Sequence, residues 1–374
     1  CSPTRAGLMT GRYPIRFGMA RSVIPPWRNF GLDPDEITLP EALGKLGYTH
    51  RGIFGKWHLG HNHTKWHPNN QGFTHFHGHY NGAIDYFTLS RENERDWHLN
   101  KKSNQETGYS TDLIASAASN FILKHSKEEE PFFCYVPFNS PHSPFQAPEK
   151  YIKKFQHLAG PNSKGKNKSL RQVVAAMVSC MDDGIGKILK AIDTSGEANN
   201  TIVWFFSDNG GIGGLQKNNL PLRGNKLDVW EGGVRVAAAI RWPNGGVQGG
   251  LKISEPLSCI DVCPTLINVS GGDDISSGNK TFDGCDVLDI LKGNFRNLNR
   301  ELYFYHGQAG EAKEKIAIRT EKWKLVIHGP NINNFRDIYK LLQKLNISKK
   351  VNTNKNLTNN IKENIQAKLS SNSI

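Results

Sequence analysis

The 374 residues carry 37% hydrophobic and 22% charged side chains, a globular composition long enough to bury one large core or two unequal ones. No apolar stretch of about eighteen residues occurs and mean hydropathy is −0.53, which excludes a transmembrane helix. The net charge of +13 invites a nucleic-acid reading, but seven lysines against one acidic residue, Glu363, crowd residues 340–374. The +7 left on residues 1–339, with no zinc-finger spacing or RNA-binding aromatic signature, suits an anionic substrate better.

In chain order, residues 3–10 put proline in a first turn ahead of good helix formers, so Cys1 lies at or just before a helix N-terminus. Residues 38–46 read as a short helix with Pro40 in its first turn, closed by Gly47, and residues 48–54 as a strand ending at Gly55. Residues 110–124 are amphipathic and helical, 132–138 form an apolar run of strand length, and 169–192 hold a long helical period. Residues 201–206 are a continuous apolar strand of the kind buried in parallel sheets; a strand at 234–242 and a helix at 262–269 follow. The division expected is a main domain over 1–283, a small C-terminal α+β subdomain over 284–340, and a basic Asn- and Lys-rich tail over 341–374.

This alternation predicts an α/β sandwich with a central, mostly parallel or mixed sheet flanked by helices. Three predicted strands run into polar loops at residues 55–60, 139–144 and 207–211. Ligand sites in open α/β sheets lie at the carboxyl ends of strands, so the three loops should converge. The six cysteines show no metal-site spacing, and Cys134 and Cys180, in apolar runs, read as free buried thiols. Seven Asn-x-Ser/Thr sequons hint at a secreted source.

Lys56 and His58, two apart in a segment expected to be extended, project to one side, where a cation and a neutral imidazole can share a pocket. His142, with Pro141 and Pro144 beside it, sits in a rigid turn. Asp208 and Asn209 offer hard oxygen ligands for Ca²⁺ or Mg²⁺, although Asp-Asn-Gly is also a common turn. Lys226 follows in a Gly-containing loop. Alone, Lys-x-His and the Lys226 loop read first as solvated side chains, and Asp-Asn-Gly is as readily a turn as a ligand pair.

Residues 1–12, Cys-Ser-Pro-Thr-Arg-Ala-Gly-Leu-Met-Thr-Gly-Arg, resemble the signature of the sulfatase family, Cys-x-Pro-Ser/Thr-Arg continued by Leu-x-Thr-Gly-Arg, with every fixed position filled. Gly-Lys-Trp-His-Leu-Gly at 55–60 matches the family's second signature region, and the motifs keep family order to about Gly271. The resemblance implies an alkaline-phosphatase-like sandwich and a type I sulfatase. In such an enzyme the cysteine is oxidised by a formylglycine-generating enzyme to formylglycine (3-oxoalanine), and a hydroxyl of the hydrated aldehyde is the nucleophile.

By the same resemblance Arg5, Lys56 and Lys226 hold sulfate oxygens, His58 is a base and His142 the general acid. Residue 1, Asp208 and Asn209 ligate Ca²⁺, placed ahead of Mg²⁺. The family also carries adjacent aspartates on a first strand before the cysteine. The expectation is therefore a fragment that lacks this strand and any signal peptide and binds calcium poorly.

Trp27, Arg28, His79, Tyr80 and Asp85, in loops beside the motifs, suit stacking on and hydrogen bonding to sugar rings. The segments around them look like polysaccharide sulfatases or arylsulfatase B-like enzymes, so the substrate expected is a sulfated glycan or aryl sulfate, with no nucleic acid and no membrane span. Secreted, periplasmic or lysosomal residence goes with that reading. Two alternatives stand beside it: a phosphoesterase or phosphonate hydrolase of the same superfamily, and a non-catalytic glycan-binding relative.

Overall fold

A computed structural model describes residues 1–20, 23–159, 169–215, 218–272, 280–294, 297–307 and 313–328; the predicted tail lies outside the described residues. The first half contains α1 (Ser2–Thr10), α2 (Leu39–Lys45), β1 (His50–Lys56), β2 (His75–His79), four two-residue strands and α3 (Ser110–His125). The short strands are β3 (Ser90–Arg91), β4 (Glu94–Arg95), β5 (His98–Leu99) and β6 (Lys102–Ser103). Then come β7 (Phe132–Tyr135), α4 (Glu149–Lys154), α5 (Leu170–Ser195), β8 (Val203–Phe206), α6 (Glu231–Val234), β9 (Ala238–Arg241) and α7 (Val262–Val269). The chain continues through α8 (Leu288–Leu291), β10 (Leu302–His306), β11 (Lys315–Arg319) and β12 (Lys324–His328).

β1 lies between β2 and β7 and pairs with both in parallel, and the sheet continues antiparallel from β2 through β5 to β6. Period-two alternation divides its side chains between two helical layers. Ile53 of β1 and Phe133 and Tyr135 of β7 face a core built from Ala6, Leu8 and Met9 of α1, with Trp57, Phe73 and Phe76. Phe54, Phe132 and Cys134 face the other way, onto Ile114, Ala118 and Phe121 of α3 and Ile188 of α5. The result is the predicted sandwich. Local signals set the helix ends: Thr38 and Glu41 form a capping box at α2, Ser169 caps α5, and α1 and α5 stop at Gly11 and Gly196 in left-handed geometry.

β2 was not expected. Its sequence, His-Phe-His-Gly-His, lacks the apolar run of a buried strand, yet β1 supplies a full parallel partner in register from Gly52–His75 to Lys56–His79. β8 differs from expectation in its partner. It pairs antiparallel with β9, and its other edge meets no named strand among the described residues; Phe205 is exposed, while Trp204 and Phe206 pack on the α1 core. A continuous apolar run reports burial and not strand direction. The strand foreseen at 234–242 begins later, because Glu231–Val234 forms a helical turn first.

β10, β11 and β12 form the small C-terminal antiparallel sheet. Lys324 and Lys315 tie it to Glu231 and Asp228. Below it, Arg300 meets the fully buried Asp261 in a two-pronged pair at 2.6 Å on each prong. Asp261 also accepts from the backbone N–H groups of Ser258 and Cys285. Asp261→Ala strands a largely buried guanidinium and those two donors; a loss of about 3–5 kcal/mol in urea unfolding is expected.

Candidate functional site

Cys1 is the N-cap of α1, where unpaired backbone N–H groups favour negative charge. Two residues of the first turn lock that helix end to the carboxyl ends of two strands. Thr4 Oγ1 donates to the Asp208 carbonyl at 2.8 Å, just beyond β8. Arg5, 5% exposed, donates from Nη1 to the Lys56 carbonyl at the end of β1 (2.8 Å) and from Nη2 to Asp208 Oδ2 (3.3 Å). The Cys1 thiol points at Asn209 Oδ1, 3.6 Å away. Thr4 was not singled out in the sequence, although its place in the Cys-x-Pro-Thr-Arg run was the available signal.

Lys56 is buried at the last position of β1. Burial first, and then Arg5 and Lys226, pull its ammonium well below the ordinary lysine range, with Asp208 opposing. His58 does not follow an extended path: its φ is +60°, a left-handed turn fixed by N–H donation from Trp57 and His58 to the carbonyls of His79, the last residue of β2, and Tyr80. That turn, rather than strand alternation, gives Lys56 and His58 a common pocket. Gly82 lies flat against the ring: a Cβ there would sit 2.5 Å from His58 Cε1. Burial and the charges of Lys56 and Arg5 keep His58 neutral. Its Nε2 is 3.3 Å from the Ile24 carbonyl and so carries the hydrogen, while Nδ1 has no partner among the described residues.

His142 comes from the loop after β7. Tyr86 holds this loop by donating to the carbonyls of Asn139 (2.8 Å) and His142 (2.9 Å). His142 Nδ1 donates to the Ser143 carbonyl at 2.7 Å, leaving Nε2 open. Burial, then Lys56 and Lys226, lower its pKa to about 4. Lys226 is seated by its N–H on the Gly211 carbonyl (2.9 Å) and by the Asn219 side chain, which bridges Gly211, Gly224 and Asn225. Gly210 and Gly232 let the two segments touch; a Cβ at Gly210 would lie 1.8 Å from the Gly232 carbonyl oxygen. Burial pushes Asp208 up, but Arg5, Lys56 and Lys226 more than offset it and hold the carboxylate below its usual range.

Cys1, Arg5, Lys56, His58, His142, Asp208, Asn209 and Lys226 are thus brought into one electrostatically linked cluster: three cations around one carboxylate, with two neutral imidazoles. The three strand-end loops converge. Asp208 and Asn209 offer the hard oxygens a divalent cation prefers, and the depressed carboxylate is ionised and ready to bind one.

The other sequence candidates lie apart from this cluster or behind it. His79 is fully buried, its Nδ1 on the Asn81 carbonyl, and burial lowers its pKa to about 3. Tyr80 packs on Phe76 and His98. Asp85 accepts from the N–H groups of Phe87 and Thr88 and from Gln146, ordering the loop that holds Tyr86. Trp27 is 75% exposed and Arg28 leans over Phe30. A shallow groove of about 400 Å³ beside the His142 loop is lined by Asp85, Ser90, Arg91, Ser143 and Pro144 among others. Ser90 and Arg91 were not foreseen, being ordinary polar residues of a short hairpin.

Gly82→Ala tests the seating of His58. The extra methyl overpacks the buried ring and is expected to cost about 1–3 kcal/mol in urea unfolding.

The family model described as Sulfatase matches residues 1–272. The chain is 30% identical to arylsulfatase J of Mus musculus over 90% of its own length and 58% of that protein's. It is 32% identical to N-acetylgalactosamine-6-sulfatase of Mus musculus, covering 88% of this chain and 65% of that protein. The chain therefore spans less than two thirds of these relatives. Among solved structures, Ps i-CgsB in complex with k-i-k-neocarrahexaose superposes with a TM-score of 0.77 at 31% identity, covering 87% of this chain and 73% of that one. The α/β sandwich is of the alkaline-phosphatase-like kind, and none of the described helices is long and apolar enough to cross a membrane. With the signature cysteine capping α1, the motif residues gathered around it, and the match running across most of the sequence, the chain belongs to the sulfatase family.

Proposed function

We propose that this protein hydrolyses sulfate monoesters of a sulfated carbohydrate, or of an aryl alcohol, with a nucleophile formed from Cys1 by a formylglycine-generating enzyme. The observation that carries this reading is the convergence of Arg5, Lys56, Lys226 and the α1 N-terminus on the space beside Cys1. Formylglycine at position 1 would supply a hydrated aldehyde as nucleophile, and residue 1, Asp208 and Asn209 would hold Ca²⁺, or Mg²⁺ in second place, which would supply a Lewis acid. Asp208 and Asn209 would fill part of such a sphere, since Ca²⁺ takes about six to eight oxygens.

The protein's own residues do the rest. Lys56, Lys226 and Arg5 bind the sulfate oxygens, and the anion in turn favours the charged lysines that burial disfavours. His142, protonated at its open Nε2 in the substrate complex, gives that proton to the departing alcohol oxygen. His58 accepts a proton at Nδ1, its open lone pair. The groove at Asp85, Ser90, Arg91 and Ser143 receives the leaving group, with the exposed Trp27 and Arg28 as an outer stacking surface. His79 and Tyr80 serve by positioning the His58 turn.

The relatives' names, one an N-acetylgalactosamine-6-sulfatase and one solved with a neocarrahexaose, support a sulfated carbohydrate. A secreted, periplasmic or lysosomal site goes with it and is supported by sequons at the exposed Asn62 and Asn199. Sulfate release from a panel of sulfated galactans, glycosaminoglycans and 4-nitrophenyl sulfate is the test. Release from at least one glycan supports the reading; release from none, with glycan binding retained, replaces it with the glycan-binding alternative. Faster turnover of the matching phosphate or phosphonate ester replaces it with the phosphoesterase alternative.

A further inference from the structure

A second cluster lies at the opposite end of β1, about 20 Å from Lys56 at the rise of a β-strand. His50 opens β1, His75 opens β2 and His125 ends α3. One ring nitrogen from each lies within 4.8 Å of the other two. The His50 and His125 rings stack at 3.8 Å between centroids, and the His75 ring is 5.3 Å from His125. Glu128 Oε2 meets His50 Nε2 at 2.5 Å and His125 Nδ1 at 3.0 Å, while Thr74 Oγ1 meets His75 Nδ1 at 2.9 Å. Phe121 closes the inner side against His75 and His125. Three imidazoles from three separate elements, with oxygen partners and an apolar wall, are the pattern of a transition-metal site.

Among the described residues Glu128 is the carboxylate that meets the cluster, and it would offset the cation's charge. We propose that His50, His75 and His125, with Glu128 as the adjoining carboxylate, bind one Zn²⁺-class cation that staples the starts of β1 and β2 to the end of α3. Zn–N bonds of about 2.0–2.1 Å in a tetrahedron put the nitrogens about 3.3 Å apart, so the rings must close by up to about 1.5 Å. His50, 27% exposed at its side chain, and the half-buried His75 have room to do so. The site is structural: it borders neither Cys1 nor the His142 groove.

The test is titration of the folded, chelator-treated protein with Zn²⁺ by calorimetry and with Co²⁺ by visible absorption, in excess Ca²⁺ so that oxygen-rich sites are filled. Expected are one equivalent of Zn²⁺, the intense absorption of four-coordinate Co²⁺, and a melting temperature that rises with Zn²⁺. His50→Gln and His75→Gln should each weaken binding at least tenfold and abolish the melting shift, with hydrolysis of the aryl sulfate unchanged. Glu128→Gln, at an exposed side chain that leaves the fold intact, should weaken binding about tenfold. Absence of Zn²⁺ binding by the unaltered protein, or retention of full affinity in either histidine variant or in Glu128→Gln, overturns the proposal.

Discussion

Cys1→Ala is expected to reduce turnover of 4-nitrophenyl sulfate on the order of 10⁵- to 10⁶-fold, the scale on which losing a nucleophile costs an enzyme that also stabilises its transition state electrostatically. Binding should persist. Arg5 is anchored by the Lys56 carbonyl and Asp208, and Lys226 by Gly211, none of which involves the Cys1 side chain, so the anion site survives the substitution. The melting temperature should change little, because Cys1 is only partly buried and, among the described residues, its side chain makes only a 3.6 Å thiol approach to Asn209. Inorganic sulfate should therefore still protect the variant against thermal unfolding. A variant that turns over at the parent rate shows that another group attacks sulfur.

His142→Ala is expected to discriminate between leaving groups. A sugar alkoxide is a poor leaving group and needs a proton as the S–O bond breaks; nitrophenolate departs without one. The loss should be about 10²- to 10⁴-fold for a glycan sulfate and much smaller for 4-nitrophenyl sulfate. The pH dependence has a definite sign. His142 must be protonated to act, and burial with Lys56 and Lys226 lowers its pKa to about 4, so kcat/KM falls as pH rises through that value. A bound sulfate ester places negative charge beside Lys56 and Lys226, raising the pKa in the complex, and the descending limb of kcat should lie at higher pH than that of kcat/KM. Equal losses for both substrates would remove His142 from the acid role and leave it as a binding group.

The fold was legible where local chemistry agrees with tertiary packing. Pro3 and Gly11 bracket α1, the Thr38–Glu41 capping box starts α2, and Ser169 and Gly196 bound α5. β2 was not legible, because its three histidines and one glycine become a strand only by pairing with β1. The partner of β8 was equally hidden, since apolar residues record burial without direction.

In the site, the spacing of Lys56 and His58 pointed to a shared pocket but for the wrong geometric reason; the φ of +60° at His58 is imposed by the carbonyls of His79 and Tyr80. Asn219 and Gly82 act by seating the backbone around Lys226 and His58, and no local pattern announces them, whereas Thr4 was signalled by its place in the Cys-x-Pro-Thr-Arg run. The sugar-contact candidates His79 and Tyr80 were aromatic residues near the motifs; the β1–β2 pairing buries His79 and leaves Tyr80 half-buried against Phe76 and His98.

The most direct test of the account is the mass of the peptide carrying residue 1, taken from protein co-produced with a formylglycine-generating enzyme and shown to hydrolyse a sulfate ester. The account predicts that the cysteine has lost H₂S and gained O, the change from thiol to aldehyde, in proportion to the specific activity of each preparation. Full activity in protein whose Cys1 remains an unmodified thiol would contradict it.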